Sequence, residues 1–262
     1  MIIAGVDEVG RGPLAGPVIA ATVALVMDLK NFLNIDELFK KNKEVLAIMA
    51  RLGITDSKKL TATKRRSIIN KLKISDFNLI SKDNVYEISY ISSLTSPLSI
   101  HYSLSEISVE EIDKINILRA SILAMNCSFN NIIRSTSTMA TESGRHPLSG
   151  NNSALLLIDG NNKIDSRNFS TLYNKNSDNK NSEITEIPII KGDQKSLIIA
   201  LASIIAKEYR DNLMLNLSKV YPGYDLEKHA GYPTKQHKKM IEKLGPSMCH
   251  RKTFSGVKEF VQ

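Results

Sequence analysis

Three short apolar runs, "MIIAGVD" (1–7), "ALLLIDG" (154–160) and "EIPIIKGD" (186–193), each close on an acid. Runs of this length, rich in Ile, Val, Leu and Ala and bounded by Gly or Pro, read as buried strands. An acid set flush against such a strand is costly unless its charge is compensated. The pattern therefore asks for a fold in which strand ends meet at one edge of a sheet. For any one of these acids the ordinary alternative stays open, since Asp favours turns and helix N-caps, and Asp193 stands directly ahead of a helix.

The rest of the chain fits around those strands. "PVIAATVALV" (17–26) reads as a second strand joined to the first through a Gly/Pro turn, and "SDFNLISK" (75–82) as a further one. "SVEEIDKINILRASILAMNCSFNNII" opens with Ser108 and Glu111 in a capping box, and Ile115, Leu118, Ile122, Met125 and Phe129 follow at helical spacing. Residues 194–217 have the length and composition of a largely buried helix. Beyond about 218 the chain is more polar, and Thr234 is placed to cap a short helix carrying Met240, Ile241 and Leu244. Two Ser/Asn-rich stretches, 134–152 and 166–182, read as surface loops. The expected fold is α/β: a mixed sheet flanked by helices.

With 262 residues and 42% hydrophobic content there is enough chain for one good core. No apolar stretch reaches the roughly 18 residues that span a bilayer, and the N-terminus lacks the basic and long apolar regions of a secretory leader. Cys127 and Cys249 are isolated, which suits a reducing cytoplasm. Thirty-five Lys and Arg against 27 Asp and Glu give a net charge of +8, a balance that favours a polyanionic partner.

Asp7, Glu8, Asp159 and Asp193 form the candidate catalytic and metal-binding set. Clustered carboxylates repel, so they must take up protons or a cation, and hard oxygen donors without Cys or nearby His select Mg²⁺ or Mn²⁺. Two such ions about 4 Å apart would activate water and steady the leaving oxygen of a phosphodiester. Adjacent strand residues face opposite sides, so Asp7 and Glu8 reach one site only if the strand has ended by then.

"GVDEVGRGPLAGPV", "TDSKKL", "VEEIDKINILRASILAM", "LIDGN", "KGD", "ASIIAKEYRD", "HAGYPT" and "GPSMCHRKTF" resemble, in this order, the motifs of bacterial ribonuclease HII, the type 2 ribonuclease H. Ribonuclease HIII would bring a further N-terminal substrate-binding domain, whereas this sequence opens on the first core strand. The resemblance implies an RNase H-like fold, with a catalytic core over 1–217 and a helical C-terminal extension over 218–262 that contributes to substrate binding. It also implies endonucleolytic cleavage of the RNA strand of RNA–DNA hybrids and on the 5′ side of ribonucleotides embedded in duplex DNA, leaving 3′-hydroxyl and 5′-phosphate ends. It places the four acids of the family on Asp7, Glu8, Asp159 and Asp193. The glycine–arginine–glycine element falls on Gly10, Arg11 and Gly12, where a bare backbone could approach the 2′-hydroxyl and Arg11 a phosphate. The junction-sensing tyrosine falls on Tyr232, and Lys58 and Lys59 become phosphate contacts, with Lys191 a weaker candidate. A catalytically inactive nucleic-acid-binding protein on the same scaffold is the alternative, opposed by the presence of all four acids.

Two positions depart from the family pattern. Ala230 stands where a lysine follows the histidine of the HxGY motif, so that one basic contact is either lost or taken over by Lys228. The interval between Asp159 and Asp193 is longer than in relatives; looped out at the surface, it leaves both acids in place at a cost of only about 0.6 kcal/mol per doubling of length, whereas folded over the cleft it changes substrate access. His229, His237, Cys249 and His250 match no zinc-finger spacing and read as packing or capping residues, and His101 and His146 as residues of polar loops. "KEFVQ" at the C-terminus has the flavour of a peptide that docks on a replication clamp. The expected protein is a cytoplasmic monomer without membrane contact.

Overall fold

The structure, a computed structural model, describes residues 1–27, 35–74, 85–87, 98–142, 153–166 and 183–261. Among them six strands form one mixed sheet: β1 (Ile2–Val9), β2 (Val18–Met27), β3 (Val85–Glu87), β4 (Leu98–Ile107), β5 (Ser153–Asp159) and β6 (Glu183–Ile189). The spatial order is β3-β4-β2-β1-β5-β6. β1, β2, β4 and β3 pair antiparallel, whereas β5 runs parallel to both β1 and β6. The expected strand at 75–82 lies outside the described residues.

The central strand β1 is apolar on both faces because helices cover both. Ile2, Ala4 and Val6 face helix α4 (Ile117–Glu142), whose Ala124, Phe129 and Ile132 close that side. Truncating fully buried Phe129 to alanine would cost about 3–5 kcal/mol. The opposite face packs on α6 (Leu197–Val220), with α1 (Ile35–Arg51) and α2 (Ala62–Lys71) completing the layer. Gly5 permits this contact, since a Cβ there would stand 2.8 Å from the Ile199 amide nitrogen. An ion cluster around buried Arg65 and Glu208 fastens α2 to α6: exposed Arg66 Nε meets Glu208 Oε1 at 2.9 Å and Arg65 Nη2 meets Asp211 Oδ2 at 2.8 Å.

Four expectations need correction. The helix capped by Ser108 is two helices, α3 (Val109–Ile115) and α4, because Asn116 takes a left-handed φ of 68° and re-registers the turn; Leu118 is consequently 42% exposed rather than on the buried stripe. The stretch from 134 continues α4 as far as Glu142, with 143–152 outside the described residues. Ser166 is fully buried, its amide and hydroxyl donating to Glu186 Oε1 at 2.7 and 2.5 Å, while 167–182 lie outside the described residues. His101 is buried within β4, not in a polar loop; His146 lies outside the described residues.

A third apolar cluster joins the end of α6 to α7 (Leu226–His229), α8 (Lys235–Leu244) and the tail. Leu14, Ala15, Met214, Tyr224, Leu226, Ile241 and Val257 meet there. Thr234 caps α8 by accepting from the His237 amide at 3.1 Å. No described helix is long and apolar enough to cross a membrane.

Candidate active site

The first two acids sit side by side on β1, which does not end at Asp7 but pairs with β2 through Val9. The expected strand end therefore comes two residues late, and Asp7 and Glu8 leave the backbone on opposite faces, yet at this edge of the sheet the Glu8 carboxylate still comes close enough for its charge to act on Asp7 and for that of Asp159 to act on it. Asp7 shares the α6 face with Asp159. The two stand on neighbouring strands, one residue past the paired Val6 and Ile158, where adjacent strands lie about 4.8 Å apart. Asp7 Oδ1 accepts from the Glu8 amide at 2.8 Å. Glu8 Oε1 meets Arg11 Nη1 at 3.4 Å, while Oε2 is buried with no hydrogen-bond partner among the described residues.

Asp193 is not at the end of a strand. β6 stops at Ile189, and Asp193 lies in the first turn of a short helix, α5 (Gly192–Lys195), entered through Lys191 at a left-handed φ of 57°. The Gly192 amide donates to Asp159 Oδ1 at 2.6 Å. Glycine is required there, since a Cβ would stand 2.7 Å from Ile199 Cδ1 and 3.1 Å from that carboxylate oxygen.

Lys58 comes from a 3₁₀ turn, Ser57–Lys59, capped by buried Asp56. Its Nζ lies 3.5 Å from Asp193 Oδ2, while Asp56 Oδ2 accepts from Gln194 Nε2 at 3.2 Å. Partial burial works against the ammonium, but the charges of Asp193, Asp7 and Asp159 outweigh it and raise its pKa above the usual lysine value. Lys59 is exposed beside it.

Burial holds the Asp7 carboxyl well above the usual carboxylate range, and the charges of Glu8 and Asp159 push it further. Burial also raises Glu8, against the pull of Arg11, and raises Asp193, against the pull of Lys58. Such a centre is short of positive charge. The all-oxygen donor set and the partnerless Glu8 Oε2 fit a hard divalent cation. Among the described residues, though, no three or more acid, imidazole or thiolate groups converge closely enough to hold one ion as they stand. Asp7 and Asp159 are brought together; Glu8 and Asp193 flank them without closing a ligand sphere.

The loop after β1 is built from the inside. Two buried arginines that the sequence reading passed over hold its carbonyls. Arg251 Nη2 donates to Gly10 O at 2.6 Å and Pro17 O at 3.2 Å, Nη1 to Arg11 O at 3.0 Å, and Nε to Gly16 O at 2.9 Å. Arg210 donates to Pro17 O, to Ala15 O at 3.0 Å and to Ala230 O at 3.4 Å. Arg210 announces itself in hindsight as the charged member of a buried Ala206–Arg210–Met214 stripe on α6. Burial pulls its pKa down to about 10; burial and then the charge of Arg210 pull Arg251 to about 9.

The two glycines of the loop have different reasons. Gly10 (φ 96°) is needed because a Cβ would lie 2.9 Å from the Arg210 guanidinium carbon. At Gly12 a Cβ would touch only Tyr232 Cε1, at 3.7 Å, leaving the outer side open. Tyr232, 42% exposed, thus stands next to the loop, its backbone fixed by Leu14 N to Gly231 O at 2.8 Å and by His237 Nδ1 to Tyr232 O at 3.0 Å. His237 continues through its Nε2 to His250 Nε2 at 3.1 Å and stacks on His229 at a ring separation of 4.3 Å. Lys228 pairs with Asp225 at 3.2 Å, and Ala230 takes a left-handed φ of 47°.

Residues 4–257 match the family described as Ribonuclease HII. A ribonuclease HII of Zymomonas mobilis subsp. mobilis is 35% identical over 261 residues, covering 100% of this chain and 87% of the relative. The crystal structure of the ribonuclease H2 from Pyrococcus horikoshii OT3 superimposes with a TM-score of 0.56 at 22% identity, covering 99% of this chain and 97% of the other. Bst-RNase HIII in complex with Mn²⁺ superimposes with a TM-score of 0.56 at 17% identity, covering 99% of this chain and 68% of the other. At these identities the two structures establish the RNase H-like fold.

Proposed function

The chain belongs to the ribonuclease HII family, and with it to the ribonuclease H endonucleases that act on RNA–DNA hybrids; from that premise we propose that it also cleaves on the 5′ side of ribonucleotides embedded in duplex DNA, with two divalent ions, Mg²⁺ or Mn²⁺, held by Asp7, Glu8, Asp159 and Asp193. Cleavage leaves 3′-hydroxyl and 5′-phosphate ends and starts the removal of misincorporated ribonucleotides. The observation that carries the reading is the acid centre: buried Asp7 and half-buried Asp159 on neighbouring strands of one sheet face, beside a buried Glu8 oxygen without a hydrogen-bond partner among the described residues. When bound, the ions supply an activated water and a charge for the leaving oxygen.

The chain's own residues do the recognition. Lys58 stands over the acids with an ammonium kept charged by them, placed to meet the phosphate next to the cleaved bond. Arg11, half exposed beside Glu8, and Lys59 add phosphate contacts. Gly12 leaves room for a ribose, and the exposed Tyr232 ring stacks on the deoxyribose that follows it. Tyr232 arrives from the segment after 217, which gives the C-terminal extension its part in substrate binding. The exposed Phe260 and Val261 near the C-terminus suit docking on a replication clamp.

Incubation with a duplex carrying one ribonucleotide, in Mg²⁺, Mn²⁺ or a chelator, tests the reading. A metal-dependent cut 5′ of the ribonucleotide, leaving a 3′-hydroxyl, is expected. Cleavage that survives the chelator, or an equal attack on all-DNA duplex, overturns it.

A further inference from the structure

The loop Gly10–Pro17 is held by two cations that have no carboxylate within ion-pair distance among the described residues. A buried charge without a counter-ion is expensive, and carbonyl oxygens meet the N–H groups without neutralising it. Arg251 is nevertheless seated with care. Its guanidinium lies 5.0 Å from the centre of the Phe254 ring, and the next two residues are tied to α3 by Lys252 N and Thr253 N donating to Asp113 at 2.8 and 3.0 Å.

What the guanidinium does to the loop follows from peptide geometry. The C=O and N–H of a trans peptide point to opposite sides, and the chain has no cis bond. Gly10 O and Arg11 O both turn inward onto Arg251. The N–H groups that share those peptides, those of Arg11 and Gly12, therefore turn outward, and neither donates a hydrogen bond among the described residues. Both residues are exposed, and no Cβ covers Gly12. Successive outward amides form a concavity that takes an anion or a hydroxyl oxygen.

We propose that Arg251 is a positioning residue for ribose recognition: by holding the carbonyls of Gly10 and Arg11 inward it fixes the N–H groups of Arg11 and Gly12 as an outward donor pair for the 2′-hydroxyl and its neighbouring phosphate. This rests on the ribonucleotide-cleaving function proposed above and names the residue that shapes its recognition loop. The charge behind the loop serves the same end: Asp113, Asp211 and Glu106 offset it only from a distance, and a phosphate at the loop adds counter-charge.

The test compares Arg251→Lys with wild type, reading anisotropy of two labelled duplexes, one with a single ribonucleotide and one all-DNA, in metal-free buffer, together with the melting temperature. Lysine keeps the charge but cannot direct donors to several carbonyls at once. The preference for the ribonucleotide duplex is expected to fall by about tenfold, the equivalent of one directed hydrogen bond, with all-DNA affinity little changed. A preference lost in Gly12→Ala but kept in Arg251→Lys overturns the role of Arg251 alone. A wild type that neither prefers nor cleaves the ribonucleotide duplex overturns the function beneath it. Amide hydrogen exchange of the wild type needs no variant: Arg11 and Gly12 should exchange freely in the unbound protein and gain protection with the ribonucleotide duplex only. Protection already present in the unbound protein overturns the outward orientation.

Discussion

The Gly192 amide donates to the Asp159 carboxylate at 2.6 Å, so the acid that ends β5 also anchors the turn that carries Asp193. The positions of two acids are thus one variable. Gly192→Ala keeps every acid and adds one methyl group, which meets Ile199 Cδ1 at 2.7 Å and the Asp159 oxygen at 3.1 Å. The isoleucine tip can swing aside; the carboxylate can only move with the site. Single-turnover cleavage by Gly192→Ala should fall roughly tenfold or more, because sub-ångström placement governs reactions of this kind. Hybrid affinity should stay near wild type, and an unchanged cleavage rate would separate Asp159 from Asp193.

Asp7→Asn should abolish cleavage while leaving hybrid binding largely intact, and it should also stabilise the metal-free protein. Burial, then Glu8 and Asp159, raise the Asp7 pKa in the folded state. The folded protein therefore holds that proton to higher pH than the unfolded chain. Stability from the protonated form is complete below the unfolded value and is lost as pH rises through the raised one. In chelator at neutral pH, Asp7→Asn should melt above wild type, with each 1 kcal/mol appearing as about 2–4 °C. The gap should close near pH 4, about the ordinary carboxylate value. A variant that melts lower than wild type at neutral pH contradicts the burial argument.

The pair His237 and His250 gives the opposite sign. Burial pulls both down to about 4, helped at His250 by the charge of His237. Tyr232 O takes the Nδ1–H of His237, so across the 3.1 Å contact His250 Nε2 donates and His237 Nε2 accepts; protonating His237 breaks that bond, and protonating His250 at Nδ1 breaks the one its ring accepts from the Ser247 amide. A depressed pKa means that stability is present at neutral pH and is lost as pH falls from about 6.5, the unfolded value, toward 4. Acid melts of wild type and His237→Asn should show a shallower loss in the variant over that interval. Parallel curves would assign the acid sensitivity elsewhere.

Different parts of this architecture announce themselves at different ranges along the chain. The strands of Asp7 and Asp159 are legible because apolar runs and terminal acids are local signals. The apolar run before Asp193 reads as a strand ending in that acid, and the helical turn that carries it stays hidden, since the left-handed Lys191 and the Gly192 contact with Asp159 are tertiary events. Asn116 hides in a helical periodicity that continues on both sides of it, and only its φ of 68° reveals the break. Arg210 and Arg251 are the least legible: their partners are carbonyls of a loop nearly two hundred residues or more away, and carbonyls carry no sequence identity.

Tyr232→Ala should alter selectivity more than stability. Tyr232 is 42% exposed, and the contacts that hold the turn, Leu14 N to Gly231 O and His237 Nδ1 to Tyr232 O, use only backbone carbonyls of residues 231 and 232 and so survive the loss of the Tyr232 side chain. A surface truncation of this kind shifts stability by about 0.5 kcal/mol. Aromatic stacking in nucleic-acid complexes contributes about 1–3 kcal/mol per stacked group, which is roughly five- to 150-fold in kcat/KM. A single embedded ribonucleotide offers one productive register, with deoxyribose beside the Tyr232 ring, whereas a long hybrid offers many registers and no obligatory DNA junction. The ratio of kcat/KM on the two substrates should therefore fall in Tyr232→Ala and recover in Tyr232→Phe, which keeps the ring. Equal losses on both substrates would reduce Tyr232 to a general contact and move junction sensing to another residue.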